Sequence, residues 1–236
     1  MKKILALVLA LLMVVPFVAC GATKNDKTAF EKSKVAFQKT TEAYLMVNEY
    51  SIDLYNAWHI GINEKSRYDD EDELSDFALE LGLDIKDMEA AIASLLGKDE
   101  YYSGYYYGGD WETLQSAYGS FFSACVNVVS EVYRVNGEVE NISDLLIEAK
   151  ASMKELSDKY SDYENYSSLK TYFTNTLAFF DFCQNPEGSF EQVVETFNNY
   201  RNTARTCFFD LNYIFEDSID GMYKEDEEFE EEADIG

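Results

Sequence analysis

The stretch DKTAFEKSKVAFQKTTEAYLMVNEYSIDLYNAWHIGINEK, residues 26–65, decides the fold. Phe30, Phe37, Tyr44, Val47, Leu54 and Trp58 recur in it at helical spacing. One helix is therefore expected from Asp26 to Lys65, about 60 Å long at 1.5 Å per residue. That is more than the later helices can cover, so its lysine-rich start is expected to protrude as a stalk carrying Lys24, Lys27, Lys32, Lys34 and Lys39.

Downstream, Leu74, Ala78, Leu81, Ile85, Met88, Ile92 and Leu95 keep one register, which predicts a second helix running through Gly82 and ended by Gly97. A break at Gly82, with Asp84 capping a new helix, is the alternative. A third helix capped by Asp110 carries the stripe from Trp111 to Val135, and Asn136-Gly137 ends it. Ile142, Leu146, Ala149, Met153, Leu156, Tyr160 and Tyr163 mark the fourth, so the two are expected to pair as an antiparallel hairpin. Leu169 to Cys183 makes a fifth. Asn185-Pro186-Glu187-Gly188 breaks the chain, and Ser189 with Gln192 forms a capping box for a sixth helix through Ile214. Short connections make sequential helices neighbours, so the fold class is all-α, an antiparallel up-and-down bundle of about six helices. The tyrosine-rich loops 98–110 and 160–166 are then expected to share one end.

Composition agrees with long helices. The chain of 236 residues has two prolines, 12 glycines and 15% aromatic side chains, unlike a turn-rich β-sandwich. Its 47% hydrophobic content suits a packed core, and its net charge of −26 repels nucleic acids.

The first 21 residues read as an address. Lys2 and Lys3 precede the apolar run Ile4 to Val15, and Phe17-Val18-Ala19-Cys20 closes it. This end resembles the lipobox of bacterial lipoproteins, with Phe17 where a leucine is usual. The resemblance implies that residues 1–19 are a signal peptide and that Cys20 carries a diacylglycerol. It also implies an extracytoplasmic protein anchored to the bacterial cell membrane. A plain signal peptide with a free Cys20 is the alternative. Domains are then expected at 20–28 (lipidated linker), 29–223 (helical bundle) and 224–236 (acidic disordered tail).

Chemistry is sparsely marked. His59 is the only histidine, which excludes a site of several imidazoles. The acids of 69–76 lack the glycine and terminal glutamate of a calcium loop. No metal and no cofactor is expected. With Cys20 acylated, Cys125, Cys183 and Cys207 are left, all on apolar stripes and expected as core thiols. Cys183 and Cys207 should lie too far apart to bridge, whereas Cys125 and Cys207 are expected at similar heights. The best binding candidates are Tyr101, Tyr102, Tyr105, Tyr106 and Tyr107, set among glycines and a serine, with Trp111, Tyr163 and Tyr166 beside them. Tyrosine supplies a flat apolar face and a hydroxyl at low entropy cost, and glycine lets the backbone adapt. These features predict a non-enzymatic module that binds an unknown ligand or protein partner. A structural spacer or adhesin subunit, and a hydrolase using two carboxylates, are the competing readings.

Overall fold

The computed structural model describes residues 24–63, 73–97 and 107–215, with side chains for 27–62, 77–97 and 113–215. Among the described residues there are eight helices and no strand: α1 (Lys24–Asn63), α2 (Glu73–Leu81), α3 (Ile85–Leu95), α4 (Tyr107–Tyr118), α5 (Phe121–Val135), α6 (Glu138–Lys159), α7 (Tyr166–Gln184) and α8 (Phe190–Asn212). The all-α class holds. Residues 1–23 and the tail from 216 lie outside the described residues.

Two expected helices are each divided. Gly82 takes φ 67° and Gly119 φ 78°, left-handed conformations that cost a residue without Cβ little. The helix that follows each break has its own cap. Asp84 accepts from the Lys86 backbone N–H at 2.7 Å, and Ser120 accepts from that of Ser123 at 3.0 Å. The apolar register runs straight across both breaks, which is why periodicity alone merges the pieces. Asp110 does not cap: α4 already begins at Tyr107, so Asp110 lies in its first turn.

The long first helix is the column of the bundle. α5 descends along its upper half, with Phe122 stacked on Trp58 at 5.5 Å and Tyr133 stacked on Tyr50 at 4.2 Å. The lower half is covered by α6, where Lys32 meets Glu155 at 2.8 Å and Lys39 meets Glu148 at 3.4 Å. Both helices therefore run antiparallel to α1, one after the other. The expected hairpin at Asn136-Gly137 is overturned, because that turn steps the chain onward instead of reversing it. Length supplies the reason: α5 and α6, of 15 and 22 residues, together span about 55 Å and match the 40 residues of α1.

The ascending α7 lies parallel to α1. Its buried Tyr172 packs on Phe37 and Tyr44 and donates to Thr41 Oγ1 at 3.3 Å. α8 then descends from Phe190 against Tyr55 to Phe208 against Phe37. Arg201, midway, donates to Asn48 Oδ1 at 2.9 Å and Ser51 Oγ at 2.7 Å. The α7–α8 hairpin is closed by the capping box at Ser189 and Gln192, as the sequence predicts. The result is an up-down-up-down bundle in which α5 and α6 share one descending leg. α2, α3 and α4 are inserted after α1, and α3 is tied to α5 by Arg134 donating to Ser94 and Asn136 to Asp87, both at 2.9 Å.

The lower end of α1 is no stalk. Ala29, Ser33, Ala36 and Phe37 are buried, and Phe215, just past α8, packs on Phe30 at 5.5 Å. Lys32 and Lys39 face α6 carboxylates, which places two of the five lysines in the bundle wall.

All three described cysteines are free, with Cys125 and Cys183 buried and Cys207 half-buried. Burial pushes all three thiols up, as inert core residues require. Cys183 lies near Tyr50, whereas Cys207 precedes the Phe208 that stacks on Phe37, so this pair stays apart. Cys125 follows Phe122 at the top of the column and stands about 30 Å above Cys207 along it. The expectation of similar heights for these two fails, because α5 covers only the upper half of α1.

Candidate surface groove

Cys20, Tyr101, Tyr102, Tyr105 and Tyr106 lie outside the described residues, and Tyr107 and Trp111 are placed as backbone positions on α4. Tyr163 and Tyr166 are half-buried in the turn after α6, where Tyr163 N–H bonds Tyr160 O and Tyr166 N–H bonds Tyr163 O. That turn sits at the end where α1 begins. α4 joins α5 beside Gly61, at the other end, so the turn and the α4–α5 junction are about 45 Å apart along α1. The expectation of one shared end is thus corrected for the described part of these segments. Two extra breaks and the tandem α5–α6 leg change which connections fall together.

What the upper end does bring together is built from α1, α5 and α8. The capping box holds the first turn of α8: Ser189 N–H donates to Gln192 Oε1 at 2.9 Å. Fixed by this turn, Phe190 faces inward, stacked on Tyr55 at 5.5 Å and edge-on to Trp58 at 6.2 Å. Trp58 is nearly fully buried between Phe190 and Phe122, and its Nε1 has no hydrogen-bond partner among the described residues. His59 is exposed and its ring stacks on Tyr55, extending the aromatic row to the surface.

Val193 and Phe197 turn into the core, which leaves the next face of α8 open. Phe190 and Val194 floor a groove of about 400 Å³ there, bordered by Glu191, Glu195, Asn198 and Asn199. Phe190 and Val194 are half-buried and the other four are exposed. Neither Glu191 nor Glu195 pairs with any cation among the described residues. Sequence reasoning missed this groove, although the capping box already fixes where α8 starts and hence that residues 190, 194 and 198 share a face.

A second polar feature lies at mid-column. Tyr133 donates its hydroxyl to Asp53 Oδ2 at 2.7 Å. Burial pushes the Asp53 carboxyl up to about 6, the tyrosine hydrogen bond opposes this, and Glu49 and Glu138 add to the rise. Glu138 is itself raised, by burial first and then by Glu49 and Asp87. Nearby, Glu131 is held below its ordinary value by the Arg134 guanidinium, which donates to it through Nε at 2.7 Å. A recess of about 170 Å³ opens beside this pair, lined also by Tyr50, Asn127, Ser130 and Gln184. These polar groups join α1, α3 and α5 and fix their register. Among the described residues no three His, Cys, Asp or Glu side chains are grouped to hold a metal ion. None of the described helices is long and apolar enough to cross a membrane.

Fold and groove together define an all-α helical bundle with an aromatic-floored, acid-rimmed surface groove on its last helix. No known family model matches the chain, and no curated protein or solved structure matches it either.

Proposed function

We propose that the chain is a lipid-anchored, extracytoplasmic binding module that engages a ligand or protein partner without catalysing a reaction. The leader ending at Cys20 supports the anchor, since only three residues separate that thiol from the first residue of α1. The observation that carries the binding reading is the α8 groove. It lies level with Tyr55, about 46 Å along α1 from its start, so a lipid on Cys20 would hold it well away from the bilayer. Tyr107 and Trp111 remain candidates because α4 enters α5 beside Phe122, which shares Trp58 with the groove's Phe190. Tyr101, Tyr102, Tyr105 and Tyr106 precede them in the chain.

A photo-crosslinking residue at Asn198, compared with one at Asp144 on the exposed face of α6, tests this in intact envelopes. A discrete adduct from position 198 alone is expected. Equal adducts from both positions, or none from either, would contradict a binding surface on α8. The spacer reading is favoured by a different observation, the unbroken 40 residues of α1, and predicts no adduct at all.

A further inference from the structure

We infer that the α8 groove takes a cationic amphipathic helix, a basic peptide segment presenting one apolar ridge. This deepens the binding reading above and rests on it.

Shape supports a helical occupant first. Phe190, Val194 and Asn198 form one i, i+4, i+8 row, and Glu191, Glu195 and Asn199 form the next. The channel between two such rows is the groove into which the ridge of a second helix packs. Its floor is held in advance, because Phe190 is stacked on Tyr55 and braced edge-on by Trp58. A ligand that needs no rearrangement of its floor binds without the ordering cost of a loose site.

Charge selects the sign of the occupant. Glu191 and Glu195 stand four residues apart on one face, where like charges repel. Glu191 gains from the helix N-terminus, being in the first turn, whereas Glu195 lies beyond it. Among the described residues no lysine, arginine or histidine lines the groove. A lysine or arginine beside the occupant's apolar ridge would meet both carboxylates, and the amides of Asn198 and Asn199 offer donors and acceptors at the groove's end. An anionic segment would meet the same carboxylates and a chain of net charge −26.

The test uses the full chain in neutral detergent micelles and a labelled 16-residue synthetic helix with a leucine ridge and lysine flanks. Anisotropy is read at low and high salt, against empty micelles. Saturable binding that weakens with salt is expected. Glu191→Gln combined with Glu195→Gln should weaken it about tenfold, the order expected for two exposed ion pairs. Asn198→Arg should block it, while Glu140→Gln with Asp144→Asn, an equal charge change on exposed α6 positions, should leave it unchanged. The inference is overturned if the α6 pair weakens binding as much, if Asn198→Arg has no effect, or if the same peptide with glutamate flanks binds equally well. Should the lysine peptide fail while position 198 still crosslinks in envelopes, the cationic helix is wrong and the binding module stands. Failure of both removes both.

Discussion

Replacing Asp53 by asparagine should stabilise the protein at neutral pH, and the gain should grow as pH rises. Asp53 is held against Tyr133 inside the α1–α5 contact, and burial raises its carboxyl from 3.8 to about 6. A carboxyl raised in the folded state contributes stability that is fully present below pH ~4 and is lost as pH rises through ~6. At 1.36 kcal/mol per unit, the full loss is about 3 kcal/mol. Asparagine carries no charge at any pH, and its Oδ1 can still accept the Tyr133 hydroxyl. Linkage then puts the variant ahead by about 1.6 kcal/mol at pH 5 and about 3 kcal/mol at pH 8, a gap that widens by about 1.4 kcal/mol. Glu138 is raised in the same direction but is present in both proteins, so the difference reports the Asp53 site. Urea unfolding followed by circular dichroism from pH 5 to 8, at fixed ionic strength, reads the gap. A gap that stays constant with pH, or an asparagine variant less stable at pH 8, would refute the reasoning.

Gly61→Ala would put a Cβ 2.8 Å from the Phe122 Cα, a backbone atom that cannot swing aside, and should cost about 1–3 kcal/mol by prising α1 from α5. A raised Tm would show instead that helix propensity outweighs the contact. Arg201→Ala removes the donors to Asn48 and Ser51 that fasten α8 to α1, and should cost about 2 kcal/mol in the same unfolding assay. A change below a few tenths would mean that α8 is held by its apolar stripe alone. Spin labels at Ile62 and Asp158, both exposed, should lie about 50 Å apart if α5 and α6 descend in tandem. A distance near 15 Å would restore the hairpin.

Local chemistry was the legible part. The stripe from Phe30 to Trp58 gave α1, and Ser189 with Gln192 gave the start of α8, because a capping box is written in two side chains three residues apart. The break at Gly119 was hidden and that at Gly82, with Asp84 as cap, stood only as the alternative, since Leu81 and Ile85, or Leu114 and Phe121, keep the apolar register on either side. Whether a glycine takes positive φ depends on whether the next residues can cap a new helix. The direction of α6 was not legible either. Its stripe from Ile142 to Leu156 fits α1 equally well in a hairpin or in tandem, and the choice depends on how much of α1 is left uncovered. For the groove, the sequence shows Glu191 and Glu195, but not that Phe190 would be fixed by Tyr55 and Trp58 from another helix.

The central functional claim is a polarity: anchor at the start of α1, groove on the far half. Resonance energy transfer in vesicles carrying acceptor-labelled headgroups measures it, with the lipidated chain labelled at Asn198 or at Asp158. Strong transfer from Asp158 and weak transfer from Asn198 is expected, because along α1 the groove stands about 30 Å farther from the anchored end. Equal transfer from the two positions, or a chain that leaves the vesicles with Cys20 intact, would contradict it.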